Sequence, residues 1–275
     1  MIKNILIYNS GGGIGDSIQL LSLIKTLKNE FNNAEFYYLS SHENHFNHTL
    51  KDYNCAIKTL ELNIKYFGFR WWHLFVVKNS FKKNSIKSFD LIIDLQSKIR
   101  NSLILRLIPH KYFISSCFNF KLSKPSINIK KDIKIDSTIL LAMNLAFNKK
   151  VSLDEFNINT INEIFFLEAK KLLPNNNYVG LSITQGNVYR KKEWPFENII
   201  KLCSKLVEKN KIPVFFIEKK NIDLKEKISN LVPKAQFPEH ESNLSSPALV
   251  SCLGKRLDFV ITIDNGVMHM LALSK

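Results

Sequence analysis

The chain has 275 residues, 45% of them hydrophobic, and carries 39 Lys and Arg against 24 Asp and Glu, a formal charge of +15. That length suits two domains, and the apolar share gives each a core, which excludes a disordered or low-complexity chain. The charge attracts polyanions without fixing their class, since most of the excess is Lys accompanied by abundant Asn and Ile, a pattern that an AT-rich genome produces without selection for binding.

The first predicted strand, 3–8, runs into a glycine-rich turn and then into apolar residues at helical spacing over 16–30. Gly11, Gly13 and Gly15 precede Asp16, so G-x-G-x-x-G fails at its last glycine, and no Gly-Lys-Ser/Thr follows to make a Walker A loop. The next strand, 34–39, ends in Leu39-Ser-Ser without the acid that would hold a ribose, which disfavours a nicotinamide dinucleotide. What remains is a carboxylate, Asp16, at the lip of a crevice whose loop has no side chains to obstruct a substrate, an arrangement that suits a general base.

A helix is expected at 44–51. His42, His45 and His48 recur every third residue without the i,i+4 spacing of a zinc helix, so they read as a solvated face. A strand at 56–60 precedes the aromatic segment Tyr66–Val77, which belongs to a helix at 70–83 and is flanked by Lys65, Lys78, Lys82 and Lys83. Too short to span a bilayer, this segment is either a core-facing helix with a basic outer side or a surface that lies on a membrane. A strand at 91–95, a helix at 97–108, a strand at 112–115 and a helix at 137–147 complete the alternation, which means a parallel sheet. Lys121, Lys124, Lys130, Lys131 and Lys134 crowd one loop region of this half.

An amphipathic helix at 161–173 and the break at Pro174-Asn-Asn-Asn177 mark the change of domain, giving domains of 1–165 and 166–275. Strands follow at 178–183, 212–217 and 258–263, with helices at 196–209, 223–230 and 246–254. The strand from Tyr178 opens into a polar loop holding Thr184, Arg190, Lys191 and Lys192 just before Pro195 starts a helix. Basic groups beside a helix N-terminus favour a diphosphate, although a solvated charge run reads the same way for Arg190 and Lys191. Glu218, after the strand from Ile212, sits where a ribose hydroxyl acceptor belongs. Last, the β-branched run from Asp258 ends in Asp264-Asn265-Gly266, and His269 falls in the first turn of the helix that follows. This is an anion site if the first-turn N–H groups face a ligand, and a simple N-cap if they do not.

Four segments together resemble glycosyltransferase family 9, the heptosyltransferases of the lipopolysaccharide inner core: Gly13-Ile-Gly-Asp16, Phe89-Asp-Leu-Ile-Ile-Asp-Leu-Gln96, Lys192-Glu-Trp-Pro195 and Asp264-Asn-Gly-Val-Met-His269. The resemblance implies two Rossmann-like domains facing a cleft, the GT-B architecture, with the acceptor on the first and the nucleotide-sugar on the second. It implies an inverting, metal-independent transfer in which Asp16 is the base, Lys192 binds the diphosphate, and Asp264, Gly266 and His269 form the nucleotide-phosphate loop. Gly13, Gly15, Thr184, Glu218 and Asn265 complete the expected substrate contacts. Asn265 departs from the Thr or Ser usual there. The chain also stops at Lys275 where the family continues, so an incomplete second domain is expected.

The expected reaction is transfer of a sugar, heptose from ADP-heptose, to a lipopolysaccharide-type hydroxyl, with no cofactor, no metal and no nucleic-acid partner. An anionic lipid-linked acceptor would account for the basic first half. Cysteines at 55, 117, 203 and 252 have no metal spacing and read as reduced, buried thiols. With no apolar leader, the expected place is the cytoplasm, with peripheral contact to the inner membrane surface. A non-catalytic nucleotide- or polyanion-binding relative is the alternative, ahead of a Rossmann oxidoreductase or epimerase.

Overall fold

The computed structural model describes residues 2–129, 135–185 and 193–274. The chain divides into two units, Met1–Lys51 with Cys55–Phe156, and Asp52–Asn54 with Asn157–Lys275. The division differs from the boundary after residue 165, because the helix at 163–172 packs on the later helix at 247–254.

Unit one holds a five-stranded parallel sheet of β1 (Asn4–Asn9), β2 (Glu35–Ser40), β3 (Lys58–Thr59), β4 (Phe89–Asp94) and β5 (His110–Ser115), in the order β3-β2-β1-β4-β5. Ile5, Leu6 and Ile7 of β1 and Leu91, Ile92 and Ile93 of β4 are all fully buried, as unbroken apolar runs must be when helices cover both sheet faces. Helices α1 (Ile14–Ile18), α2 (Leu21–Glu30), α3 (His73–Lys82), α4 (Ile99–Leu105) and α5 (Ile135–Phe147) supply that cover; α2 packs on α5 and α3 on α4.

Two expected helices differ. The one at 16–30 is interrupted at Gln19–Leu20, where Leu20 N donates to Ser17 O in a tighter turn and both Leu20 and Leu21 reach the core. The one at 44–51 is a pair of 3-10 turns, His45–Asn47 and Lys51–Tyr53. Asn44 caps the first through Phe46 N at 3.1 Å, and its amide reaches Ile57 O at 2.7 Å, so side chain to backbone bonds displace the helix.

Unit two holds α6 (Glu163–Leu172), β6 (Tyr178–Ser182), α7 (Phe196–Glu208), β7 (Ile212–Phe215), α8 (Ile222–Leu231), α9 (Pro238–Glu241), α10 (Pro247–Gly254), β8 (Leu257–Thr262) and α11 (Gly266–Ala272). Its parallel sheet runs β7-β6-β8. Ile199, Cys203 and Leu206 of α7, at i, i+4 and i+7, join Leu181, Phe215, Ile217 and Ile228 in the core. Tyr53 belongs to this unit through its hydroxyl, which donates to Pro247 O at 2.8 Å and lies 2.7 Å from Ser251 Oγ. β8 is an edge, and Phe259 on it is 41% exposed. The four cysteines are buried and free. Among the described residues no helix is long and apolar enough to cross a membrane.

Candidate functional site

A doubly wound parallel sheet opens a crevice at the carboxyl ends of the strands where the chain order reverses. In unit one that point lies between β1 and β4, and the glycine loop with Asp16 grows from it. Asn9 ends β1; its Oδ1 accepts Gly11 N at 2.9 Å, closing an Asx turn, and Gln96 Nε2 at 2.9 Å from the end of β4. Gly13, extended at φ −89° and ψ 149°, starts α1, and Asp16 in its first turn accepts Gly13 N at 3.4 Å. Gly15 is buried one residue before Asp16, while Gly13 and Asp16 are exposed. A Cβ on Gly11 would stand 2.7 Å from Asp16 Oδ2, so the absent side chain there lets the carboxylate fold over the loop.

The end of β2 wraps the same loop. Ser41 Oγ donates to Ser10 O at 2.7 Å, His45 Nε2 lies 3.2 Å from Gly12 O, and a Cβ on Gly12 would stand 2.2 Å from His42 Nδ1. His42 and His45 therefore flank the glycine loop and do not form a solvated helical face. The signal available in the sequence was their position directly after a strand that ends at the same sheet edge.

Asp94, the last residue of β4, is fully buried. Ser102 Oγ at 2.5 Å, Ser115 Oγ at 2.9 Å and Gln96 N at 2.9 Å donate to it, yet burial outweighs them and pushes its carboxyl up to about 7. It underlies Gln96 and through it Asn9 and Gly11, so it is a positioning group for the loop. Nothing in the local pattern of Phe89–Gln96 marks Asp94 or Gln96, because the serines that close over Asp94 come from later in the chain.

In unit two the order reverses between β6 and β8. A pocket of about 250 Å³ opens there, lined by Ser182, Ile183, Trp194, Ile261, Thr262 and Ile263. Asn265 caps α11: its Oδ1 accepts Met268 N at 3.0 Å, and its Nδ2 donates to Ser182 Oγ at 2.8 Å and Thr184 O at 2.9 Å. Asn265 thus ties the helix start to the end of β6, and Thr184 joins through its carbonyl. Gly266 is the first helical residue, Asp264 is exposed just before it, and His269 is half-buried in the following turn. The N–H groups opening a helix have no acceptor within it.

Glu218 follows the buried pair Phe216–Ile217 beyond β7, is exposed, and pairs with Lys220. Beside it, Glu239 is buried in α9, and burial followed by the Glu218 charge raises its carboxyl to about 7. A helix of one turn, Pro238–Glu241, has no periodicity to mark it in the sequence, and Glu239 carries no local signal of its burial. Arg190, Lys191, Lys192, Lys130, Lys131 and Lys134 lie outside the described residues. Among the described residues no three of His, Cys, Asp and Glu lie close enough to hold a metal ion.

The profile of glycosyltransferase family 9 (heptosyltransferase) matches residues 80–274. No curated protein sequence matches the chain. Among solved structures, Escherichia coli heptosyltransferase WaaC with ADP superposes with a TM-score of 0.65 at 14% identity, over 99% of this chain and 84% of that one. Escherichia coli ADP-heptose lps heptosyltransferase II gives 0.61 at 16% identity, over 99% and 82%. UDP-GlcNAc 2-epimerase from Methanocaldococcus jannaschii gives 0.55 at 16% identity, over 100% and 82%. At such identities the likeness establishes the fold, two Rossmann-like domains of the GT-B kind, which transferases and an epimerase share.

Proposed function

Since the chain belongs to glycosyltransferase family 9, the heptosyltransferases, and is a glycosyltransferase, we propose that it moves heptose from ADP-heptose onto a hydroxyl of a lipopolysaccharide-type acceptor. One observation carries the reading: Asp16 stands exposed over a glycine loop at the switch point of unit one, its carboxylate lying over Gly11 and Gly13, which have no side chains. In the proposed reaction Asp16 takes the acceptor proton as the oxygen attacks the anomeric carbon. The new carbon–oxygen bond forms on the face opposite the breaking bond to the diphosphate, so the configuration inverts and ADP leaves.

The leaving group is already good, so electrostatics carry much of the rate. Lys192 and the first-turn N–H groups of α11 after Asp264 and Gly266 receive its charge, with His269 as a further donor. The pocket against Ser182, Trp194 and Ile263 has room for a sugar ring or a base, and the exposed Glu218 beyond β7 suits a ribose hydroxyl. The donor choice is supported by the neighbours whose names carry ADP or ADP-heptose. The acceptor is read as an anionic, lipid-linked saccharide met from the cytoplasmic side of the inner membrane, in keeping with the +15 charge.

Calorimetric titration with ADP-, UDP- and GDP-sugars, followed by turnover of the parent and of Asp16→Asn, tests the reading. The expected result is selective binding of the ADP-sugar by both proteins and a loss of transfer of about 100- to 10,000-fold in Asp16→Asn. Turnover of the variant within a few-fold of the parent would reject Asp16 as base. Binding of a UDP-sugar with epimerisation would move the chain to the other activity seen on this fold.

A further inference from the structure

The segment 62–89 contains no Asp or Glu, and it carries Lys65, Arg70, Lys78, Lys82, Lys83 and Lys87. Within it α3 turns His73, Val77 and Phe81 inward, at i, i+4 and i+8, onto the core that also holds Phe67 and Phe89. That leaves the aromatic residues of the segment's loop and outer helical face in solvent: Phe75 is 82% exposed, Tyr66 60%, Trp72 54%, Trp71 52% and Phe69 41%. The core-facing reading of this segment therefore holds for α3's inner stripe alone.

These side chains are held out by a rigid frame. Gly68 takes φ +86°; its N–H donates to Nδ1 of the fully buried His73 at 3.0 Å, and its carbonyl accepts Arg100 Nε at 2.7 Å. Tyr8 OH donates to Phe67 O at 3.2 Å. Buried hydrogen bonds thus fix a loop whose product is five aromatic rings in water, a configuration that needs a partner. Lys98 lies over the Phe69 ring at 6.0 Å. One turn along α3 from Phe75, Lys78 begins an apolar groove of about 190 Å³, floored by Phe81, Ile86, Leu107 and Pro109 and rimmed by Lys78, Lys82 and Lys87.

We propose that this surface docks unit one on an anionic lipid bilayer, with the Trp, Tyr and Phe rings entering the headgroup layer and the Lys and Arg groups meeting lipid phosphates. Composition decides between partners. Protein interfaces are depleted in Lys at their cores, whereas amphipathic aromatic rings beside Lys and Arg are the pattern of a membrane–water boundary. A stretch of 28 residues without one carboxylate has charge complementarity to anionic lipid along its whole length. The patch also borders the glycine loop: the Tyr66 ring meets the His42 ring edge-on at 5.7 Å, and His42 covers Gly12. An acceptor hydroxyl held at the bilayer surface is thereby delivered beside Asp16, a consequence that rests on the transferase reading while the docking does not.

The test is flotation of the full chain with phosphatidylcholine vesicles and with mixed phosphatidylcholine–phosphatidylglycerol vesicles, for the parent and for Trp71→Ala/Trp72→Ala/Phe75→Ala. All three side chains are exposed, so the variant keeps its fold, and an unchanged melting curve verifies this. Expected are binding to the mixed vesicles that weakens with salt, little binding to neutral vesicles, and about tenfold or more weaker binding of the variant. Absence of parent binding at low salt, or equal binding by the variant, overturns the proposal. So does a stable dimer of the parent that the variant converts to monomer, which would assign the surface to a second copy. Vesicle binding without sugar transfer rejects the transferase reading alone, and transfer to a soluble acceptor without vesicle binding rejects the docking alone.

Discussion

Asp94→Asn should change how unit one's stability depends on pH. Burial holds the Asp94 carboxyl protonated to about 7, whereas in the unfolded chain it releases its proton near 3.8. Between those values the folded state binds the extra proton, so this residue makes the protein less stable as pH rises. A shift of that size corresponds to a loss on the order of 4 kcal/mol across the window, complete by about pH 7. His73 and His110 act in the opposite sense, because burial lowers both and favours their neutral forms in the fold, so the parent's total conceals the Asp94 contribution.

The difference between parent and variant isolates it. Urea unfolding followed by exchange protection of the β1 and β4 amides, from pH 4.5 to 7.5, should show the parent losing stability relative to Asp94→Asn as pH rises. A flat difference would refute the argument and would mean that the three donors to Asp94 outweigh its burial. The loop should register the same event, since Gln96 links Asp94 to Asn9 and Gly11.

Gly11→Ala places a methyl 2.7 Å from Asp16 Oδ2 and 2.8 Å from its Cβ, so the carboxylate must move; transfer should fall about tenfold or more at a stability cost of about 1–3 kcal/mol, checked by kcat and a melting curve. Asn265→Ala removes an N-cap and two further hydrogen bonds, and unit two should lose about 2–3 kcal/mol in urea unfolding. An Asn265→Ala protein as stable as the parent but unable to bind ADP would make Asn265 a ligand contact and not a cap. Lys192→Ala should weaken donor affinity and flatten its salt dependence, as measured by calorimetry at two ionic strengths. EDTA should leave transfer unchanged, and activity that is lost and then restored by Mg²⁺ or Mn²⁺ would contradict the metal-independent reading.

The alternation of strand and helix was legible in the chain because local patterns carry it. Short apolar runs such as Ile5–Ile7 and Leu91–Ile93, each closed by a polar turn, read as strands covered on both faces, and the 3.6 period at Ile199, Cys203 and Leu206 reads as a helix with one buried side. The placement of Gly13, Asp16, Asp264 and Gly266 between a strand end and a helix start was legible for the same reason: a strand end followed by glycine and an acid is a local event. What the sequence left open was everything set by residues far apart along it. Asp94 reads as one more acid until Ser102 and Ser115 close over it, and His42 and His45 read as a solvated face until β2 pairs with β1 and lays them on the glycine loop. The aromatic segment 66–75 permitted a core or a surface, since periodicity says that a helix has two faces but not which one the fold covers. Only the packing of α3, which takes His73, Val77 and Phe81 into the core and leaves Trp71, Trp72 and Phe75 outside, decided it, because burial is a property of the neighbours and not of the residue.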